Sequence, residues 1–309
     1  MKPDSFPLQP GFFVLGAQKA GTTALHDWLA AQPGLCLPKG KETHFFSHPK
    51  RFAQGAGWYA RQYPAPAGGA ICGEVDPDYL FLPETPGRML QLGLSPRFLV
   101  IVRDPLARAY SHYRMSVRRG VEPLAFPEAL RAEPKRLAAS PDMALPHFSY
   151  MARGRYTEQV ERYATAFPAS PLLVVSYEEL FSPATNAEAF GRICRFLDLD
   201  SFTLPEVGKR RNQATMARVG LLNAILWDRE RFGTLRSMVR LALPLRALRD
   251  AVAHRMDALN QRPAAPAQDW LCGVDPGFLV QAAAEAERVA TRFALDTKSW
   301  QRQPDAARA

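Results

Sequence analysis

Between the apolar run Phe12 to Leu15 and a helical pattern that begins at Thr22 lies Gly16-Ala17-Gln18-Lys19-Ala20-Gly21-Thr22-Thr23. A buried strand, a glycine-bearing turn and a helix in that order point backbone N–H groups at an anion. Alternation of the same kind continues along the chain. Leu25, Trp28 and Leu29 recur at helical spacing, and Pro33-Gly34 ends that helix near Ala31. Ala70 to Cys72 reads as a short strand and Phe98 to Val102 as a stronger one. Leu106, Tyr110, Tyr113 and Val117 mark a helix face. Further helices are expected over about 157–167, 186–197 and 277–293, and a strand from Leu172 to Val175. Continuous apolar strands between helices predict an α/β fold, a parallel sheet flanked by helices. Ligands in such folds sit at the carboxyl ends of the strands, here after Leu15, Val102 and Val175.

The spacing G-x4-G is that of a nucleoside-triphosphate P-loop, but Thr22 and not lysine follows the second glycine. In a kinase that lysine reaches the β- and γ-phosphates and the next hydroxyl holds Mg²⁺. Here the lysine has moved into the loop as Lys19, where it can contact a group bonded to a single 5′-phosphate. Ala20, Gly21, Thr22 and Thr23 supply backbone and hydroxyl donors beside it. The strand Phe98 to Val102 ends in Arg103, where a metal-dependent enzyme wants a carboxylate. The planar guanidinium fork suits bidentate phosphate binding. Ser111, eight residues on in the next helix, can reach the same anion. Two phosphate sites without a metal carboxylate fit a nucleotide phosphorylated at both ends, and no metal is expected. The competing reading is an ordinary strand–turn–helix in which Arg103 pairs with Asp104 or Asp76.

These residues resemble those of sulfotransferases that use 3′-phosphoadenosine 5′-phosphosulfate (PAPS). QKAGTTAL resembles their 5′-phosphosulfate loop, and RFLVIVRDPLARAYSHY their 3′-phosphate motif. KGKETHFFSHPKRFAQGAGWY is similar to the K-E-x-H-F-F…G-x-x-W-Y segment of the heparan-sulfate type, and GEVDPDYLF to E-K-[TS]-P-x-Y. Glu122 to Phe126, Gly154-Arg-Tyr156 and Phe196 to Leu199 follow in family order. The likeness covers about residues 11–200 and is weak after about 205, apart from the last helix and Trp300. It implies a P-loop-like sulfotransferase fold and donor contacts at Lys19, Gly21, Thr22, Thr23, Arg103 and Ser111. It implies a catalytic base at Glu42. His44, two residues away, is the rival base or orients the loop. Tyr177 matches a stretch near the adenine. Lys209, Arg210 and Arg211 match loosely a basic loop over the nucleotide. One departure stands out: Val75 occupies the motif's lysine position and Asp76 follows, so a basic contact to donor or acceptor is missing. Asp76 and His44 are the candidates on the acceptor side. The stretch from Gly120 to Tyr150 is expected to shape acceptor choice.

The chain has 309 residues, is 47% hydrophobic and carries a net charge of +9, which suits an anionic partner. It is read as a single domain of 1–309, with a core at about 11–200 and a helical part at 205–300. Within that part, Leu221, Leu222, Ile225 and Leu226 recur at helical spacing. Cys36, Cys72, Cys194 and Cys272 are far apart in sequence and form no zinc pattern, so free thiols are expected. The N-terminal apolar run is too short for a signal peptide, and no run approaches a membrane span. A cytoplasmic protein is expected, with peripheral membrane contact left open for the basic stretch at 218–255. No nucleic-acid partner is expected, since no basic–aromatic RNA motif occurs. The expected acceptor is a carbohydrate or a small hydroxylated molecule. Two alternatives stand beside this reading, an ATP-dependent small-molecule kinase and a non-catalytic nucleotide- or RNA-binding module.

Overall fold

The computed structural model describes residues 8–66, 68–139, 141–199, 201–204, 215–217, 261–263 and 270–300. In chain order the elements are β1 Phe12–Gly16, α1 Thr22–Ala30, β2 Leu35–Cys36, α2 Pro49–Phe52, α3 Gly55–Ala60 and β3 Ile71–Val75. Then come α4 Asp78–Phe81, α5 Thr85–Gln91, β4 Arg97–Val102, α6 Pro105–Arg118, α7 Phe126–Ala139 and α8 Pro141–Phe148. They are followed by α9 Tyr156–Ala166, β5 Leu172–Ser176, α10 Tyr177–Phe181, α11 Asn186–Phe196, β6 Thr215–Ala217, β7 Gln261–Pro263 and α12 Pro276–Phe293.

The first five strands form one sheet in the order β2-β3-β1-β4-β5, and every pair is parallel. Residues 12–16 and 98–102 are all buried, which is why these strands read as unbroken apolar runs and not as alternating ones. β3 carries a glycine and a glutamate among its apolar residues. Gly73 faces Phe12, and a Cβ there would lie 2.2 Å from the Phe12 ring. The missing side chain lets that ring lie across the neighbouring strand. From β1 the chain winds to one edge of the sheet and then to the other, so the crossover point lies at the carboxyl end of β1.

Two compact units make up the described chain. The first holds the sheet and comprises the described residues up to Arg108, those of 153–204 and those of 280–300. Its core includes Phe13, Val14, Leu25, Val100, Ile101, Tyr163, Phe190 and Val289. Glu285 of α12 accepts hydrogen bonds from the N–H and hydroxyl of Thr157, at 2.8 and 3.0 Å, which ties α12 to the start of α9. The second unit takes 109–152 and the described residues between 215 and 279. Buried Glu122 there receives Arg136 at 2.5 Å and the Tyr150 hydroxyl at 2.7 Å. Tyr110 stacks on Trp270 with ring centroids 4.7 Å apart.

The expected long strands and helices are present within a residue or so of their predicted ends. β3 is longer than predicted, because Gly73 and Glu74 interrupt the apolar pattern but not the strand. The basic stretch at 218–255 and its leucines lie outside the described residues. The flanking segments 215–217 and 261–263 pair as a two-stranded antiparallel ribbon, which the helical reading of that part does not include. The cysteines are free, as expected, but two of them are not far apart in space. Cys36 and Cys72 are register partners on β2 and β3. Burial and the neighbouring Cys36 push the Cys72 thiol up to about 11. Among the described residues no helix is long and apolar enough to cross a membrane.

Candidate active site

Strand ends of the first unit supply most of the described candidate residues. β1 runs into the loop 16–21, whose entry is held by a hydrogen bond from the Ala17 N–H to the Ile101 carbonyl at 2.7 Å. Gly21 is the N-cap of α1, with φ 90° and no side-chain cap. The first N–H groups of α1 are therefore left to a ligand or water. Gly21 is needed on two counts. Its φ lies where L side chains are strained, and a Cβ there would lie 2.3 Å from the Phe181 ring. Lys19 also has a positive φ, 72°, so the loop turns sharply at the lysine. Lys19 and Thr23 are half-buried and Ala20 and Thr22 are buried.

β4 ends in Arg103, and neither expected carboxylate partner holds it. Its guanidinium donates to the Lys19 carbonyl at 3.2 Å and lies over the Tyr177 ring, 4.5 Å from the centroid. Asp104 instead caps α6, accepting from the N–H groups of Leu106 and Ala107 at 2.8 and 3.0 Å. The Tyr156 hydroxyl fixes the Arg103 carbonyl at 2.7 Å. Fully buried Arg108 reaches the Gln18 carbonyl at 3.4 Å. The loop is thus underlaid by two arginines, of which the sequence pointed to one. Tyr177 opens α10 directly after β5 and packs against both Arg103 and Gly21. Ser111 lies on α6, half-buried, in the second unit. Lys209, Arg210 and Arg211 lie outside the described residues.

The end of β3 grips the segment that carries Glu42 and His44. Glu74, 0% exposed, accepts from the Thr43 N–H at 2.7 Å and from the hydroxyls of Tyr59 and Tyr79 at 2.9 and 3.0 Å. Asp76, also 0% exposed, accepts from the His44 N–H at 3.0 Å and from the Asp78 N–H at 3.0 Å. Its Oδ2 lies 3.0 Å from His44 Nδ1, and Asp78 Oδ2 is 3.6 Å from the same nitrogen. The other ring nitrogen, Nε2, faces Glu42 Oε2 at 3.5 Å. Lys41 pairs with the second oxygen of Glu42. Behind this cluster, buried Arg153 holds Asp78 at 2.8 Å and lies over the Phe81 ring. Phe45, Phe46 and Tyr59 are core, and half-buried Trp58 stacks on Phe45.

These contacts set the protonation of the cluster. Burial disfavours the imidazolium of His44. The hydrogen bond and charge of Asp76, with Asp78 and Glu42 beyond, outweigh that and raise His44 to about 9. Burial pushes Asp76 above the usual carboxylate range, and the contact with His44 acts against that push. Glu74 is raised to about 7 by burial and by the charge of Asp76, with Thr43 and Tyr59 opposing. Glu42, His44 and Asp76 each bring one ligand-type atom to within 4.8 Å of the others.

The carboxylate cluster and the loop are neighbours. Gly16 packs against the turn that follows Asp76, so that a Cβ on Gly16 would lie 3.2 Å from the Pro77 carbonyl. His26 of α1 feels the charges of Lys41 and Glu42. Sequence reasoning placed Asp76 on the acceptor side; its full burial directs it to His44. It did not find Arg108, Arg153, Glu74 or Asp78. Glu74 and Asp78 lie within the quoted GEVDPDYLF, Arg108 within RFLVIVRDPLARAYSHY and Arg153 beside the Gly154-Arg-Tyr156 stretch, but no role was read for any of them.

A glycine-bearing loop after the central strand, an arginine at the end of the next and a carboxylate–histidine cluster beside them gather at the carboxyl edge of the sheet. The family model for the sulfotransferase domain matches residues 9–217, and the chain belongs to that family. It is 31% identical over 190 residues to human heparan sulfate glucosamine 3-O-sulfotransferase 3B1, covering 62% of this chain and 46% of that protein. It is 29% identical over 175 residues to mouse heparan sulfate glucosamine 3-O-sulfotransferase 5, covering 56% and 49%. The chain thus matches about half the length of these curated relatives. The crystal structure of a sulfotransferase from Alicyclobacillus acidocaldarius shares the fold, with TM-score 0.65 and 22% identity over 95% of this chain and 99% of that one.

Proposed function

We propose that this sulfotransferase takes the sulfuryl group from PAPS and passes it to a hydroxyl or amine of a carbohydrate acceptor. The observation that carries the donor reading is Arg103. Its guanidinium donates to the Lys19 carbonyl and lies over the Tyr177 ring, and among the described residues it forms no ion pair within 4 Å, so its remaining donors are kept for an anion. With the uncapped N-terminus of α1, that makes two anion-binding elements at adjacent strand ends, the need of a nucleotide phosphorylated at 3′ and 5′. Lys19, Ala20, Gly21, Thr22 and Thr23 would hold the 5′-phosphosulfate. Arg103 and Ser111 would hold the 3′-phosphate, and Tyr177 would lie beside the base. Lys209 and Arg211 remain candidates for a basic loop over the nucleotide. The glycan reading rests on the names of the curated relatives, and a small hydroxylated acceptor is the second reading.

The chemistry balances without a metal. Glu42 takes the proton of the acceptor hydroxyl as its oxygen attacks sulfur. The bond between sulfur and the bridging phosphate oxygen breaks, and its electrons leave with 3′-phosphoadenosine 5′-phosphate. Lys19 offsets the charge that grows on that oxygen. Glu42 and not His44 is the base in this reading, because His44, raised to about 9, already holds its proton at neutral pH. A cytoplasmic setting is kept as part of the proposal, and the free cysteines are consistent with it.

The test is transfer of radiolabelled sulfate from PAPS to a panel of glycosaminoglycan oligosaccharides and small alcohols, with Glu42→Gln as control. Label should enter an oligosaccharide with wild type and not with the variant. Label on small alcohols alone would move the acceptor to the second reading. No label anywhere, alongside phosphate transfer from ATP, would replace the reading with the kinase.

A further inference from the structure

We propose that Asp76 is a positioning residue for the proton-accepting carboxylate, holding the His44 ring against Glu42 so that Glu42 is presented to the acceptor in one orientation. This rests on the sulfuryl-transfer reading for the role of Glu42. Alternate residues of the β3 end, Glu74 and Asp76, accept the consecutive N–H groups of Thr43 and His44. The segment between Glu42 and Phe45 is therefore fixed from beneath by two buried carboxylates. His44 has φ 51°, so the chain turns there. One carboxylate oxygen of Asp76 receives both its backbone N–H and its ring Nδ1, each at 3.0 Å. That closes a small ring and sets the imidazole orientation, which sends Nε2 toward Glu42 at 3.5 Å. Asp76 is itself held by the Asp78 N–H, and Asp78 by Arg153.

Fully buried, Asp76 is out of reach of an acceptor and acts through His44. The E-K-[TS]-P-x-Y motif that this stretch resembles carries a hydroxyl residue at this position and lysine before it. A hydroxyl can accept the backbone bond but brings no negative charge to the ring. Buried Val75 brings no cation either. The paired changes make the His44 ring depend on Asp76 in this chain.

The experiment uses the full-length protein, with Asp76→Ser and Asp76→Asn. The His44 imidazole is titrated by NMR with and without 3′-phosphoadenosine 5′-phosphate, and kcat and acceptor KM are measured against pH. The groups that face this ring are Glu42 on its own segment and Asp76 and Asp78 from the β3 end; Lys41 pairs with Glu42 and Arg153 with Asp78. His26 of α1 faces Glu42. In wild type the His44 midpoint should lie near 9, and in both variants it should drop by about one to two units. kcat should fall about 10–100-fold, as when an orienting partner of an active-site histidine is removed, with acceptor KM and nucleotide affinity held. A wild-type midpoint near 6.5, a midpoint unmoved by the substitutions, or a moved midpoint with unchanged kcat would each overturn the proposal. Thermal melts identify a variant that does not fold, and the wild-type midpoint then decides. Because that midpoint is read without turnover, it is judged apart from the sulfuryl-transfer reading.

Discussion

At the end of β1 the chain offers backbone N–H groups and Lys19, with Arg103 and Arg108 beneath them. At the end of β3 it offers Glu74, Asp76 and Asp78, with Glu42 alongside and His44 between the carboxylates. The first region is built on one run of adjacent residues, 16–23, with Arg103 and Arg108 brought beneath it, and uses main chain as much as side chain. The second is assembled from three separate stretches, 41–46, 74–79 and Arg153, and depends on buried acids. In the proposed reading the cationic region holds a charged donor and the acidic one accepts a proton. Separate construction lets donor binding and proton removal be varied independently, and substitutions can test whether they are independent.

The largest effect should come from the acidic region. Glu42→Gln should lower kcat by about 10²–10⁴-fold, the usual worth of a positioned base, and leave 3′-phosphoadenosine 5′-phosphate affinity unchanged by calorimetry. A matching loss of affinity would mean that the two regions are one. Lys19→Ala should lower kcat by about 10²–10³-fold through lost stabilisation of the leaving group and also weaken the nucleotide, which Glu42→Gln does not. Gly21→Ala combines a positive φ with a close approach to Phe181. It should cost about 1–3 kcal/mol, seen as a lower melting temperature together with weaker nucleotide binding. Arg103→Lys keeps the charge but loses the planar fork and the stack on Tyr177. Nucleotide affinity should fall about tenfold with kcat at saturation little changed.

The smallest effect is on stability against pH, and it belongs to the acidic region. His44 is raised above its ordinary 6.5 to about 9. Its contribution is full below pH 6.5 and is lost as pH rises through about 9. Glu74, raised from 4.5 to about 7, works in the same direction: its contribution is full below 4.5 and lost as pH rises through 7. The melting temperature should therefore decline from pH 6 to pH 9.5 (~1–3 kcal/mol in all), and Asp76→Ser should flatten the upper part of that decline. A melting temperature that rises over this range would contradict the assignment.

The cationic region was legible in the sequence because its information is local. Gly16 to Thr23 is one loop, and Arg103 follows an unbroken apolar strand. The acidic region was legible in Glu42 through resemblance and in His44 beside it, with Asp76 named only as an acceptor-side candidate. A carboxylate such as Asp76 reads as surface in any pattern. Nothing local says that β3 continues through Gly73 and Glu74 and delivers alternate carboxylates to consecutive amides of a distant segment. The same limit hid the meeting of Cys36 and Cys72, which exists only through the β2–β3 register. α2 and α4 have four residues each, too few for a helical period to show. α7 and α8 carry internal Pro134 and Pro146, which break the pattern that would announce them.

Calorimetric titration of 3′-phosphoadenosine 5′-phosphate in the presence of a chelator, with wild type, Lys19→Ala, Arg103→Ala and Glu42→Gln, tests the division of the site most directly. Tight metal-free binding by wild type, weakened by the first two substitutions and kept by the third, is the predicted result. A wild type that ignores this nucleotide and binds ATP with Mg²⁺ would contradict it.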